Sequence, residues 1–306
     1  MNKVVPLIIG GMPRTGTTFL YHVFAGHPGA FVPFRKELRF FSLNFGRGAA
    51  WYARFFDKCP AGARCFDISP DYFMDSEAAG RMSEYDPSLK VILGVRNPAA
   101  WAISLHRQLL TLDRCVPAFA DFISQGTYPE FGILQRRATK RLEFSLRGHF
   151  IMEQLERYRR LLGDRLLLFD FAYFERDPFK VVHYISEFGG MPREHSIALS
   201  PKHKINSRSR GGSRLLNNVL SRDALINLAG ALVPRRTLIA LRMKLDQANG
   251  AKSDVSALDL DEARDLEFAS DVLAADSDYV RKLFQLGPVV DGNGALATLA
   301  SSPIGH

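Results

Sequence analysis

The chain has 306 residues, 46% apolar and 24% charged, with 40 Lys and Arg against 32 Asp and Glu, so its formal charge is +8. That length buries a full core, and no run approaches the ~18 apolar residues of a membrane-spanning helix. The N-terminal apolar run is too short for a secretory signal, and three cysteines without a Cys-x-x-Cys pair exclude a disulfide scaffold and disfavour a zinc site. These features lead to the expectation of a soluble, cytoplasmic, mildly basic enzyme. The basicity alone is compatible with an anionic ligand, whether a nucleotide, a sulfated or phosphorylated substrate, or nucleic acid.

In chain order, Val4 to Ile9 is a short apolar run closed by Gly10-Gly11, the pattern of a buried strand. A Gly/Thr-rich turn follows, then Leu20, Val23, Phe24 and His27 at helical spacing. Arg64 to Ile68 and Lys90 to Val95 read as strands. The second leads through Asn97-Pro98 into a helix with Trp101, Leu105, Leu109 and Leu112 on one face. Ile151, Leu155, Tyr158 and Leu162 mark an amphipathic helix ending at Gly163, and a strand runs from Arg165 to Asp170. Alternating strands and helices predict a three-layer α/β/α domain with a central parallel sheet, whose ligands sit beyond the carboxyl ends of the strands. Between His195 and Arg222 there are six Lys or Arg and no acid, whereas Ser253 to Asp278 is strongly acidic. The basic stretch reads either as an anion-contacting flap or as a solvated loop.

Gly11-Met-Pro-Arg-Thr-Gly16-Thr17-Thr18 keeps the frame of the P-loop, with Thr17 where its lysine belongs. A Gly-rich turn opening a helix offers unpaired N–H groups and a positive dipole end to an anion. The cation is displaced to Arg14. The lost lysine and the lack of a clear metal-binding Asp after a strand argue against kinase chemistry.

Pro13-Arg-Thr-Gly-Thr-Thr-Phe-Leu20 resembles the 5′-phosphosulfate loop of sulfotransferases that use 3′-phosphoadenosine 5′-phosphosulfate (PAPS). Val91 to Pro98, with Arg96, continues to Ser104 like that family's 3′-phosphate motif. An arginine fork plus a hydroxyl eight residues later, in the following helix, suits a phosphate. Lys36-Glu37-Leu-Arg-Phe-Phe41 resembles the segment that carries the catalytic base in the heparan sulfate group and many bacterial carbohydrate sulfotransferases, so the resemblance gives Glu37 that role. Partial burial among aromatics is expected to raise its basicity. Asp67-Ile68-Ser69-Pro70-Asp71-Tyr72-Phe73 is similar to the family's Glu-Lys-Ser/Thr-Pro-x-Tyr-Phe, with Asp67 for Glu and Ile68 for Lys. Asp67 reads as an orienter of a substrate hydroxyl or of Arg14, or as a strand-end cap. His149 reads as an acceptor contact, a second proton acceptor, or a helix-face residue without function. His106, on the helix of Ser104, reads as structural. Trp51, Tyr52, Phe55, Phe56, Tyr72 and Phe73 read as acceptor lining or as core.

The resemblance, covering about residues 4–215, implies a single domain: a P-loop core and cofactor flap over 4–215, then a helical extension over 216–306. It implies PAPS as donor, PAP as product and an acceptor hydroxyl on a glycan, glycolipid or small alcohol, with no metal and no nucleic-acid partner. Thr15, Gly16, Thr17 and Thr18 would cradle the 5′-phosphosulfate, Arg14 would neutralise the bridging oxygen, and Arg96 and Ser104 would hold the 3′-phosphate. Arg208 and Arg210 would close over the nucleotide. The alternatives are a P-loop kinase using ATP and magnesium, or a non-catalytic polyanion binder.

Overall fold

The computed structural model describes residues 4–112, 116–129, 141–191 and 262–297. Strand β1 (Leu7–Gly11) is buried along its whole length and feeds helix α1 (Thr17–Gly26). The chain then steps outward through β2 (Ala30–Phe31), α2 (Ala49–Ala53) and β3 (Arg64–Ile68). From α3 (Ala78–Tyr85) it crosses to the other side of β1, entering β4 (Val91–Val95) and α4 (Pro98–Leu112). Next come α5 (Phe119–Ser124), the antiparallel pair β5 (Gly126–Pro129) and β6 (Arg141–Phe144), and α6 (Phe150–Leu162). β7 (Leu166–Asp170), α7 (Phe171–Arg176) and α8 (Pro178–Phe188) follow. The last described elements are α9 (Glu262–Val272), α10 (Ala274–Leu283) and β8 (Val289–Asp291).

The six-stranded sheet has the order β2-β3-β1-β4-β7-β8. Every pairing is parallel except β7 with β8, which is antiparallel. The run of apolar residues in β1 follows from covering both faces. Leu7 and Ile9 pack with Leu20 and Phe24 of α1 on one side, while Ile8 packs with Leu93 and Trp101 on the other. Strand order reverses at β1, with β3 on one side and β4 on the other. The loops leaving β1 and β4 therefore open the crevice in which such sheets bind ligands.

The predicted strands and helices are present with ends shifted by at most a few residues. The C-terminal region is helical through α9 and α10, and β8 adds to it by joining the main sheet as an antiparallel edge strand. An antiparallel strand needs no crossover helix, and its three residues carry too little pattern to be read from sequence. Arg208, Arg210 and the rest of the basic 195–222 stretch lie outside the described residues. Cys59 and Cys65 are joined by a disulfide. Closing so short a loop is worth about 2 kcal/mol, so it is a local staple and not a scaffold. No described helix is long and apolar enough to cross a membrane.

Candidate functional site

The turn between β1 and α1 is shaped for an anion. Gly16 has φ 81° and caps α1 without any side-chain hydrogen bond. Arg14 has φ 67°, a conformation that costs a non-glycine residue about 1 kcal/mol and is retained where the surroundings impose it. Two left-handed residues this close turn successive N–H groups to one side, forming an anion nest. The buried Thr15 hydroxyl donates to the Met12 carbonyl at 2.6 Å and fastens the turn to its strand. Gly94 on β4 leaves room for it: a Cβ there would stand 2.8 Å from Thr15 Oγ1 and 2.5 Å from the Phe169 ring. From α4, Trp101 Nε1 donates to the Pro13 carbonyl at 2.8 Å. The turn is thus clamped from β4 and α4, and its first helical N–H groups stay directed at the crevice.

Two motifs ninety residues apart meet at this turn. Arg14 Nε donates to Ser104 Oγ at 3.2 Å. The half-buried Arg96 guanidinium lies 4.9 Å from the centroid of the Phe171 ring. Burial lowers its pKa, Glu175 opposes that, and the nearby charge of Arg14 lowers it further. Two guanidiniums that repel each other beside a hydroxyl and a helix N-terminus form a site for more than one negative charge.

The segment after β2 carries the acidic side of the site. The Tyr21 hydroxyl of α1 donates to the carbonyls of Pro33 and Phe34, at 3.3 and 3.2 Å, and holds this segment against the helix. Lys36 Nζ in consequence donates to Thr18 Oγ1 at 2.9 Å, and it lies 3.9 Å from Glu37 Oε1. The Glu37 side chain is 20% exposed. Its environment differs from the expected aromatic one. Arg39 donates to Glu37 Oε2 through Nη2 at 2.7 Å and Nε at 3.3 Å, so charge pairing, not an apolar wall, orients the carboxylate.

Behind Glu37 is a buried polar network that sequence reasoning missed. Asp67 accepts from the hydroxyls of Tyr52 at 2.8 Å, Tyr72 at 2.6 Å and Ser69 at 2.7 Å. It neither caps its strand nor reaches Arg14; it organises the residues that carry the Glu37 segment. Tyr72 also accepts from Phe40 N at 2.8 Å, and Ser69 Oγ accepts from Arg39 N at 3.1 Å. Asp71 is fully buried and accepts from Ser42 Oγ at 2.6 Å, with its Oδ1 lying 3.8 Å from Arg39 Nε. Desolvation pushes the Asp71 carboxyl up to about 7; Arg39 opposes that shift, and Glu37 adds to it. The missed signal is a charged residue inside an aromatic run: Arg39 before Phe40-Phe41 and Asp71 before Tyr72-Phe73 were bound for the core and therefore needed partners.

Because the folded-state pKa of Asp71 lies above its unfolded value, its contribution to stability is complete below the unfolded pKa. It is lost as pH rises through about 7. Asp71→Asn is therefore expected to flatten the decline in unfolding free energy between about pH 4 and pH 8. Denaturant melts of both proteins across that range check this; identical slopes would place the titration elsewhere.

His149 is exposed at the N-cap of α6 with φ 68°, where its charge acts on the Asp276 carboxyl. It is not brought to Glu37 by any contact among the described residues. His106 Nε2 pairs with the Pro117 carbonyl at 2.8 Å, and burial lowers its pKa. Trp51, Tyr52, Phe56, Tyr72 and Phe73 are core residues, which removes them as acceptor lining; Phe55 is half-buried against Trp51.

The sulfotransferase family model matches residues 6–79, the span holding the Arg14 turn, Glu37 and Asp67. Heparan sulfate glucosamine 3-O-sulfotransferase 6 from Homo sapiens is 32% identical over 112 residues, 37% of this chain and 32% of that protein. The corresponding enzyme 3B1 from Mus musculus is 31% identical over 119 residues, 39% of this chain and 30% of that protein. The chain thus matches about a third of the length of these curated relatives. A solved sulfotransferase from Alicyclobacillus acidocaldarius shares the fold, with a TM-score of 0.50 at 20% identity, covering 83% of this chain and 98% of that one.

Proposed function

We propose that this chain, a member of the sulfotransferase family through residues 6–79, moves a sulfuryl group from PAPS to an acceptor hydroxyl and releases PAP. The observation that carries the reading is the 3.2 Å bond from Arg14 to Ser104 with Arg96 alongside. It joins the ends of β1 and β4 into one site for a nucleotide with phosphates at both the 3′ and 5′ positions. The residues fit such a group. The nest at Arg14–Gly16 suits a 5′-phosphosulfate, and Arg96 with Ser104 suits a 3′-phosphate. When bound, PAPS supplies an activated sulfuryl group on a phosphate leaving group.

The chain's own groups divide the remaining work. N–H groups of Thr15, Gly16, Thr17 and Thr18 hold the phosphosulfate, and Arg14 meets charge growing on the bridging oxygen, an interaction stronger in the transition state than before it. Glu37, whose carboxylate is oriented by Arg39 and only 20% exposed, takes the acceptor proton. In-line transfer then rests on positioning and electrostatics, with arginines and a helix N-terminus in the place that magnesium holds in P-loop kinases. The acceptor is a hydroxyl on a glycan, glycolipid or small alcohol. Arg208 and Arg210 are proposed to contact the nucleotide from the basic stretch. The Cys59–Cys65 disulfide favours an oxidising compartment over the cytoplasm.

Calorimetric titration with PAP and ADP, metal chelated, tests the reading. PAP is expected to bind at least about tenfold more tightly, the worth of one charge-assisted phosphate contact. Equal affinities, or binding that needs magnesium and prefers ATP, would support a kinase instead.

A further inference from the structure

We propose that Lys36 is a further catalytic residue, the ammonium that meets the sulfuryl group from the acceptor side. The inference rests on the sulfotransferase reading and supplies a cation that the phosphate loop lacks. The P-loop frame has Thr17 in place of its lysine, and Arg14, the displaced cation, is turned toward Ser104 and Arg96. The opposite flank of the α1 N-terminus faces Glu37. Lys36 occupies it. Its Nζ donates to Thr18 Oγ1 at 2.9 Å in the first turn of α1 and stands 3.9 Å from Glu37 Oε1. Its side chain is only 11% exposed, and the Tyr21 bonds to Pro33 and Phe34 fix the segment that delivers it.

A charge between the anion nest and the base lies where donor and acceptor meet. In the transfer, the acceptor oxygen forms a bond to sulfur while its proton passes to the Glu37 carboxylate. The bond from sulfur to the bridging oxygen breaks, and its electron pair leaves on the 5′-phosphate of PAP. The equatorial sulfuryl oxygens remain anionic throughout. Lys36 gives up no proton; its ammonium holds those oxygens and screens them from Glu37, whose negative charge would otherwise repel them. PAP lacks the sulfuryl group, so binding alone separates this role from a general anion contact.

The test uses Lys36→Gln and Lys36→Arg in the full chain, with PAP and PAPS affinities measured without acceptor and kcat measured with it. Lys36→Gln is expected to weaken PAPS about tenfold, to leave PAP within about twofold, and to lower kcat about 10²-fold, the usual loss for one transition-state donor. Lys36→Arg should recover part of both effects. A merely structural role would weaken PAP and PAPS alike or raise the acceptor KM at constant kcat; either result, or no change, overturns the assignment. If the unmodified chain binds neither PAP nor PAPS, the sulfotransferase reading itself fails, a result distinct from any behaviour of the Lys36 variants.

Discussion

Glu37→Gln is expected to lower kcat about 10²-fold or more, the usual contribution of a general base. PAP affinity should stay within about twofold, because the nucleotide contacts come from other elements. The substitution keeps the shape of the side chain, and its amide oxygen still accepts from Arg39, so the pairing at 2.7 Å has a neutral equivalent. What disappears is the ability to take a proton. The setting is why this carboxylate and not a neighbouring one is proposed as the base. Asp67 accepts three hydroxyl hydrogen bonds inside the core, and Asp71 is fully buried behind Arg39. Only Glu37 is partly exposed. Steady-state kinetics at saturating PAPS decide the matter. Full activity in the variant would move the role elsewhere, with His149 tested next despite its exposed position beside Asp276.

The second large effect is on nucleotide recognition. Arg96→Ala is expected to weaken PAP about 10- to 100-fold, the range for losing a charge-assisted bond of about 1.5–3 kcal/mol. The loss should be confined to ligands carrying a 3′-phosphate. Stacking against Phe171 holds the guanidinium in place before any ligand arrives, so little ordering has to be paid on binding. At saturating PAPS the rate should change little, since the 3′-phosphate is held equally before and during transfer. Titration of wild-type and variant proteins with PAP and ADP checks this. Equal weakening for both ligands would mean that Arg96 supports the fold of the crevice without reading the phosphate.

Much of the sheet was legible because β1, β4 and β7 are buried on both faces and show it as unbroken apolar runs ended by Gly or a polar residue. β8 was not, since three residues on a sheet edge carry no period. The shape of the Arg14 turn was legible because glycine and threonine spacing is a backbone property, visible locally. The network of Arg39, Asp67 and Asp71 was not, because it depends on contacts across about thirty residues, such as Ser42 to Asp71 and Arg39 N to Ser69. Lys36 was read only as the first letter of a motif. Its approach to Thr18 depends on Tyr21 drawing the loop onto α1, a tertiary bond with no sequence period. For Glu37 the sequence led to an aromatic pocket, whereas the rings of Phe40 and Phe41 turn into the core and leave the carboxylate to Arg39.

The central claim is tested most directly by incubating the protein, with all divalent metal chelated, with sulfur-labelled PAPS and a panel of glycans, glycolipids, lipids and small phenols. The predicted result is label transferred as a sulfate ester to a hydroxyl of at least one acceptor class, with PAP formed in equal amount and the transfer suppressed in Glu37→Gln. Absence of transfer to every class, together with magnesium-dependent ATP turnover by the same preparation, would contradict it.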